Sequence, residues 1–169
     1  MITPAMKTGV LGRHLIEDFE GLFLHAYDDY NDRVVLPGQH IYGTLTIGYG
    51  HTTEAGLPKV YPGMVITQDQ ADAILASDLA AVEADVNHHV NVVINQNQFD
   101  ALISFDFNTG ALDRSNVLRA INSGNFEAVR GDLMMWVHAG GRLLPGLVRR
   151  RKAEADLFET PMETDTAPA

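Results

Sequence analysis

Two carboxylic acids and a threonine near the N-terminus have the residue types that acid–base cleavage of a glycosidic bond requires. Glu20 follows an apolar helical run and precedes Gly21, so partial desolvation is expected to favour its protonated form. Asp29 lies in the polar stretch AYDDYND, where a carboxylate stays ionised. One acid can protonate the leaving oxygen while the other activates water or attacks the sugar carbon, and the hydroxyl of Thr46 can hold that water. The residues alone leave open a helix that simply ends at Glu20 and a solvated hairpin around Asp29.

Motifs for other kinds of site are missing or incomplete. The glycines of GYGH, residues 48–51, do not complete G-x-G-x-x-G because Thr53 stands at the third glycine position, and the chain has no G-x-x-x-x-G-K-[ST]. The seven histidines form no H-E-x-x-H, and there is no cysteine and no G-x-S-x-G. We therefore expect neither a metal nor a cofactor.

Composition restricts the partners. The chain has 169 residues, the size of one domain, and its 12 Lys+Arg against 22 Asp+Glu give a net charge of −10. This charge argues against nucleic acid or an anionic membrane as the main partner. The N-terminal residues contain no apolar run long enough for a signal peptide or a membrane anchor, which predicts synthesis in the cytoplasm and no stable membrane insertion.

The elements that must position the acids follow from hydrophobic spacing. Residues 7–20 show a helical apolar stripe that Gly21 ends, so Glu20 falls at the C-terminal end of a helix. Residues 23–51 are typical of a small antiparallel sheet with turns near 31–32 and 37–38.

The rest of the chain is predicted to be helical. Thr67 and Gln70 form a capping box that starts a long helix over 67–89. Further helices are predicted near 97–107, 115–123, 125–138 and 146–159, before an acidic tail over 160–169. The predicted fold class is α+β and mostly helical.

Four separated motifs resemble the phage-type lysozymes and endolysins of glycoside hydrolase family 24, the group of the T-even and lambdoid phages. They are Glu20-Gly21-Leu22 with Ala26-Tyr27-Asp28-Asp29, the stretch TIGYGHT at 46–52, FDALISFDFNTG at 99–110, and WVHAGG with PGLVRRR at 136–151. The resemblance covers about residues 10–159. It implies a lysozyme-like two-lobe fold within a single catalytic domain, 1–159. In that fold an N-lobe of about 15–66 and a connecting helix of about 67–89 precede a C-lobe of about 90–159, on which helix 7–20 packs.

The same resemblance implies a role for each position of the site. Glu20 would be the general acid, Asp29 would activate the attacking water and Thr46 would orient it, an arrangement for inversion. His51 would be a structural histidine paired with an acid. The resemblance also implies that Phe107 and Asn108 contact the substrate and that Arg150, chosen over Arg149 and Arg151, places a guanidinium near Glu20. For each of these positions, an ordinary structural role stays open as the alternative.

One departure from the family concerns the spacing of the site. Sixteen residues (46 − 29 − 1) separate Asp29 from Thr46, whereas the family usually has far fewer. Residues 30–43 are therefore predicted to form a lengthened hairpin that alters glycan access or subsite contacts. Because of this insertion, Asp28 and Asp32 are alternative candidates to Asp29 for the acid that activates the water.

The resemblance implies a peptidoglycan hydrolase that cleaves between N-acetylmuramic acid and N-acetylglucosamine to lyse bacteria. Its partners would be peptidoglycan glycan strands, with a holin-type protein releasing a monomeric enzyme to the cell wall. Two alternatives stay open: a lytic transglycosylase, which can work with one acid, and an inactive peptidoglycan-binding scaffold.

Overall fold

The computed structural model of the protein describes residues 5–162. These residues form six α-helices, a four-stranded antiparallel sheet and a separate two-stranded hairpin, which confirms the predicted α+β, mostly helical class. Of the predicted acidic tail 160–169, residues 163–169 lie outside the described part. Among residues 5–162, no helix combines the length and the hydrophobicity needed to cross a membrane.

The elements follow one another along the chain with short connections. Helix α1 (Val10–Glu20) precedes strands β1 (Phe23–Asp28), β2 (Arg33–Val34), β3 (Leu45–Gly48) and β4 (His51–Thr52). Helices α2 (Gln68–His89), α3 (Gln96–Thr109), α4 (Asn116–Asn122) and α5 (Val129–Leu133) come next. Strands β5 (His138–Ala139) and β6 (Arg142–Leu143) then precede helix α6 (Pro145–Glu159), and single 3-10 turns lie at Leu112–Arg114 and Phe126–Ala128.

The chain divides into two compact units. One is Ile16–Ala81, and the other joins the residues up to Leu15 with those from Val82 onward. The boundaries fall inside α1 and inside α2. We call them the sheet unit and the helical unit.

The sheet unit is built on the strand order β2-β1-β3-β4. Tyr27 of β1 lies opposite Thr46 of β3, and Thr46 lies opposite Thr52 of β4. Apolar side chains from α1, the sheet, the segment before α2 and the start of α2 form its buried core: Ile16, Ala26, Ile47, Met64, Ile66, Ala71, Ile74 and Leu75. Thr67 and Gln70 make both hydrogen bonds of the predicted capping box, at 2.9 and 3.2 Å.

Helix α1 begins without a capping side chain of its own. The buried carboxylate of Asp100, on α3, instead accepts hydrogen bonds from the backbone N–H groups of Gly9 and Gly12 at 2.8 and 2.9 Å. A carboxylate at this end also complements the helix dipole. At the other end, Gly21 has φ +70° and its N–H reaches the carbonyl of Glu17, so the helix ends after Glu20 as predicted.

The helical unit has α3 at its centre. Every residue of α3 from Phe99 to Asp106 is buried, and the helix packs against α6 and the 3-10 turn Leu112–Arg114. Asn95 and Gln98 make a capping box at its start, and Ser115 caps α4 by accepting from the N–H of Leu118 at 3.1 Å.

The helix predicted over 125–138 is wrong beyond Leu133. There the chain leaves the helix and forms the hairpin β5–β6, with Gly140 and Gly141 at φ +56° and +74° in its two-residue turn. Two consecutive residues with positive φ match the right-handed twist of a hairpin, and glycine adopts them without strain. The Gly-Gly pair was therefore a hairpin signal rather than the stop signal of a longer helix.

Candidate active site

Glu20 lies at the end of α1, half-buried, against the turn between β3 and β4. A Cβ added to Gly50 would lie 2.9 Å from Oε2 of Glu20, and Gly50 has φ +78°. Glycine is thus required at position 50 for two reasons: the backbone has a positive φ, and the carboxyl of Glu20 approaches closely. The second glycine of GYGH therefore shapes the wall beside the predicted acid.

Asp29 and Thr46 are joined through the backbone of Thr44. The N–H of Thr44 donates to Oδ1 of Asp29 at 2.6 Å, and the N–H of Asp29 donates back to the carbonyl of Thr44 at 3.1 Å. The hydroxyl of Thr46 donates to that same carbonyl at 3.1 Å. The 16 residues between Asp29 and Thr46 therefore do not separate them in space, because the Asp29–Thr44 hydrogen bonds directly follow the last pair of the β1–β3 ladder, Asp28 with Leu45.

Tyr27 connects these groups with Glu20. It faces Thr46 across the ladder, and Asp29 follows two residues further on, directly after the end of β1. Its pKa is raised, first by burial and then by the negative charges of Asp32, Glu20 and Asp29. Asp29 and Thr46 thus lie together through Thr44, Thr46 faces Tyr27, and the charges of both predicted acids contribute to the raised pKa of this phenol.

Asp28, one rival of Asp29, has a different role. Its side chain is 1 % exposed and both oxygens accept backbone hydrogen bonds, Oδ2 from Tyr42 at 2.7 Å and Oδ1 from Gly43 and Tyr30 at 2.9 and 3.0 Å. These bonds, that from Tyr42 foremost, lower its pKa. Asp28 lies opposite Leu45 and so points to the other face of the sheet from Tyr27. It closes the base of the long hairpin.

Asp32, the other rival, lies in the turn that follows β1. It has φ +56°, a conformation that Asp tolerates better than most residues, and its N–H donates to the carbonyl of Asp28 at 2.8 Å. Its side chain is exposed, and its negative charge contributes to the raised pKa of Tyr27.

His51 is fully enclosed at the start of β4. Its Nδ1 lies 2.8 Å from Oδ2 of Asp78 on α2, and its Nε2 lies 2.9 Å from the carbonyl of Pro58. The carbonyl can only accept, so Nε2 donates to it, and Nδ1 faces the carboxylate of Asp78. Burial raises the pKa of Asp78 while the bond to His51 opposes that shift. With both nitrogens occupied, His51 braces the β3–β4 turn.

The remaining predicted residues belong to the helical unit and are described within it. Phe107 is half-buried, and Asn108 is exposed and accepts a hydrogen bond from the guanidinium of Arg151. Arg150 is buried and contacts Glu154 at 3.3 Å and Ser104 at 3.4 Å. Their predicted roles as substrate contacts and as a guanidinium near Glu20 stay predictions.

Residues 5–162 contain no group of three His, Cys, Asp or Glu side chains placed to hold a metal ion.

Three residues that shape the site were missed by sequence reasoning: Asp28 as a clamp, Gly43 and Thr44. An Asp that precedes a turn often bonds the N–H two residues on, as Asp28 does with Tyr30, and this was a readable signal. The bonds from Tyr42, Gly43 and Thr44 span 14 or 15 residues and left no local pattern.

The lowered pKa of Asp28 predicts a pH-dependent contribution to stability. Because folding favours the charged form, the contribution is complete above the ordinary Asp pKa of about 4 and is lost as the pH falls through the lower folded value. The free energy of unfolding lost in Asp28→Asn is therefore expected to be largest at neutral pH and to shrink on acidification, as measured by urea unfolding. Asp32→Asn is the matched control. A loss in Asp28→Asn that does not change with pH would contradict the assignment.

Comparison with known proteins identifies the family. The family model for phage lysozyme matches residues 17–154. The endolysin of Acyrthosiphon pisum secondary endosymbiont phage 1 is 40 % identical over 155 residues, covering 88 % of this chain and 95 % of that protein. The endolysin of Bacillus phage B103 is 36 % identical, but the chain spans only 55 % of its length while 92 % of this chain is covered.

A solved structure is similar to this chain over most of its length. The muramidase domain of SpmX from Asticaccaulis excentricus matches with a TM-score of 0.76 at 37 % identity, covering 92 % of this chain and 99 % of that one. The chain therefore belongs to the phage lysozyme family.

Proposed function

We propose that the chain is a peptidoglycan-hydrolysing endolysin, an N-acetylmuramidase (EC 3.2.1.17) that cleaves the β-1,4 bond between N-acetylmuramic acid and N-acetylglucosamine. Membership of the phage lysozyme family, endolysin relatives and a structural neighbour that is a muramidase domain support a lysozyme-type glycosidase. The observation that supports the proposal is the backbone of Thr44, which hydrogen-bonds to both Asp29 and the hydroxyl of Thr46, the residue that faces Tyr27.

The reaction would be a single displacement. Glu20 donates its proton to the glycosidic oxygen as the bond to the anomeric carbon breaks, and a water molecule attacks that carbon from the opposite face. Asp29 takes a proton from the water. The hydroxyl of Thr46 already donates to Thr44, so its oxygen lone pairs are directed to accept a hydrogen from the same water.

Of the three neighbouring acids, Asp29 fits the role of base best. The carboxylate of Asp28 is occupied by three backbone N–H groups, and Asp32 lies in the turn beyond the ladder. Asp29 is exposed, uses only Oδ1 for the Thr44 N–H, and is joined through Thr44 to the hydroxyl of Thr46. This combination supports Asp29 as the group that activates water.

The setting in the cell is proposed on the same basis. We expect a monomer that acts on peptidoglycan glycan strands at the cell wall, after release by a holin-type partner, and that needs no cofactor. The net charge of −10 makes nucleic acid a poor partner. The roles of Phe107, Asn108 and Arg150 rest on the family resemblance alone.

Replacing Glu20 by Gln removes the proton donor and keeps the shape of the side chain. We expect the rate of clearing of a peptidoglycan suspension to fall by about 10²–10⁴-fold. Glu54→Gln, an exposed glutamate of the same sheet unit, is the matched control and should clear as the wild type does. If Glu20→Gln clears the suspension as fast as the wild type does, Glu20 is not the general acid.

Analysis of the released fragments tests the kind of reaction. Reducing ends at N-acetylmuramic acid are expected from hydrolysis, whereas 1,6-anhydro ends would show a transglycosylase. Clearing by neither the wild type nor any variant, with binding to the wall retained, would favour the scaffold.

Gly43 is predicted to be required for activity because of the space around it. A Cβ at this position would lie 2.1 Å from Oδ1 of Asp29 and 2.9 Å from both Oδ1 of Asp28 and the backbone nitrogen of Tyr30. Gly43→Ala should therefore displace Asp29 and lower the clearing rate by about 10²-fold. Gly131→Ala, where an added Cβ meets open space, is the control. Full activity in Gly43→Ala would show that the position of Asp29 is not critical.

A further inference from the structure

The long hairpin carries a cluster of exposed aromatic rings beside Asp29. Tyr30 and Tyr42 are 76 % and 68 % exposed, and their ring centroids lie 6.1 Å apart. The ring of His40 meets that of Tyr42 edge-on at 4.6 Å. We call Tyr30, His40 and Tyr42 the aromatic ledge. Adjacent exposed rings leave apolar surface in contact with water. Covering that surface with a ligand is favourable.

The buried carboxylate of Asp28 fixes this ledge in place. The backbone N–H groups of Tyr30 and Tyr42 both donate to it, at 3.0 and 2.7 Å, although they are 12 residues apart (42 − 30). The backbone under each ring is thus held before any ligand arrives, which reduces the entropy lost on binding. A ledge held in this way can serve as a binding platform.

A polar hollow adjoins the ledge within the sheet unit. It has a volume of about 240 Å³ and is lined by residues that include Asn31, Arg33, Gln39, His40 and Tyr42. Sites that enclose a whole ligand usually measure about 300–1,000 Å³, so this hollow suits one edge of a larger molecule. Its donors and acceptors lie next to aromatic faces.

This pairing of surfaces matches the chemistry of a sugar ring. A pyranose presents C–H bonds on its face and hydroxyl or acetamido groups around its edge. The face packs on an aromatic ring, while the edge hydrogen-bonds to amide, guanidinium and imidazole groups. The lining carries a single cation, Arg33, together with Asp28, so it lacks the basic cluster that a phosphate-rich polymer would need.

We propose that the aromatic ledge is an additional saccharide subsite, which binds a sugar of the same glycan strand beyond the bond that is cleaved. The inference rests on the proposed function. It follows from continuity: Tyr30 adjoins Asp29 in the chain, and Tyr42 lies two residues before Thr44, which holds Asp29. A strand whose sugar lies at Asp29 carries its next sugars onto the ledge. The lengthened hairpin thereby adds a binding contact for long glycan strands.

The test compares long and short substrates. In the double variant Tyr30→Ser/Tyr42→Ser, we expect KM for long glycan strands to rise about tenfold with kcat unchanged, and the cleavage of short oligosaccharides that end before the ledge to stay at the wild-type rate. Tyr61→Ser, an exposed tyrosine of the same unit outside the ledge, is the control. Tyr30→Leu/Tyr42→Leu keeps apolar bulk and serves if the serine variant does not fold.

A binding measurement separates this proposal from the proposed function. Co-sedimentation with purified peptidoglycan, in a Glu20→Gln background, should weaken about tenfold when the two tyrosines are replaced. If the wild type does not hydrolyse peptidoglycan but this loss is seen, the hydrolase assignment fails and the subsite stands. Unchanged binding and KM would overturn the subsite. An equal loss on long and short substrates would also overturn it, because it would indicate a structural role.

Discussion

The carboxylate of Asp28 is the constraint on which the geometry of the sheet unit depends. It gathers three backbone N–H groups from the two ends of a hairpin whose closure spans 15 residues, while the rest of that hairpin contains only the short strand β2. Ordering such a loop is entropically unfavourable, and three charge-assisted hydrogen bonds to one buried carboxylate offset that loss. The position of Gly43, and with it the hydrogen bond from Thr44 to Asp29, follows from this clamp.

The clamp explains how a lengthened hairpin is compatible with the family's site. The β1–β3 ladder ends with Asp28 opposite Leu45, and the Asp29–Thr44 hydrogen bond follows it directly, so the residues of the long hairpin lie outside the ladder. Asp29 and Thr46 therefore keep the adjacency that a single displacement requires. What the insertion adds is surface, namely the aromatic ledge and its polar hollow. We propose that this surface, rather than the acid–base residues, is what the lengthened hairpin changes.

Local signals predicted most of the elements, and long-range contacts explain the failures. Gly21, the capping box of Thr67 and Gln70, and the spacing of apolar residues placed the helix ends, because those interactions span only a few residues. The Gly140-Gly141 hairpin was missed because apolar periodicity was extended through it. The choice between Asp28 and Asp29 depends on which face of the sheet each carboxylate takes and on amides 14 or 15 residues away, which no local pattern encodes.

The central claim is that water, held between Asp29 and Thr46, attacks the sugar directly while Glu20 protonates the leaving oxygen. The stereochemistry of the first product tests it most directly, since a nucleophilic carboxylate would form a glycosyl-enzyme and retain the configuration. Proton NMR of the newly formed reducing end, recorded before mutarotation, should show the α-anomer first, which is inversion of the β-linked substrate. A β-anomer formed first would contradict the account.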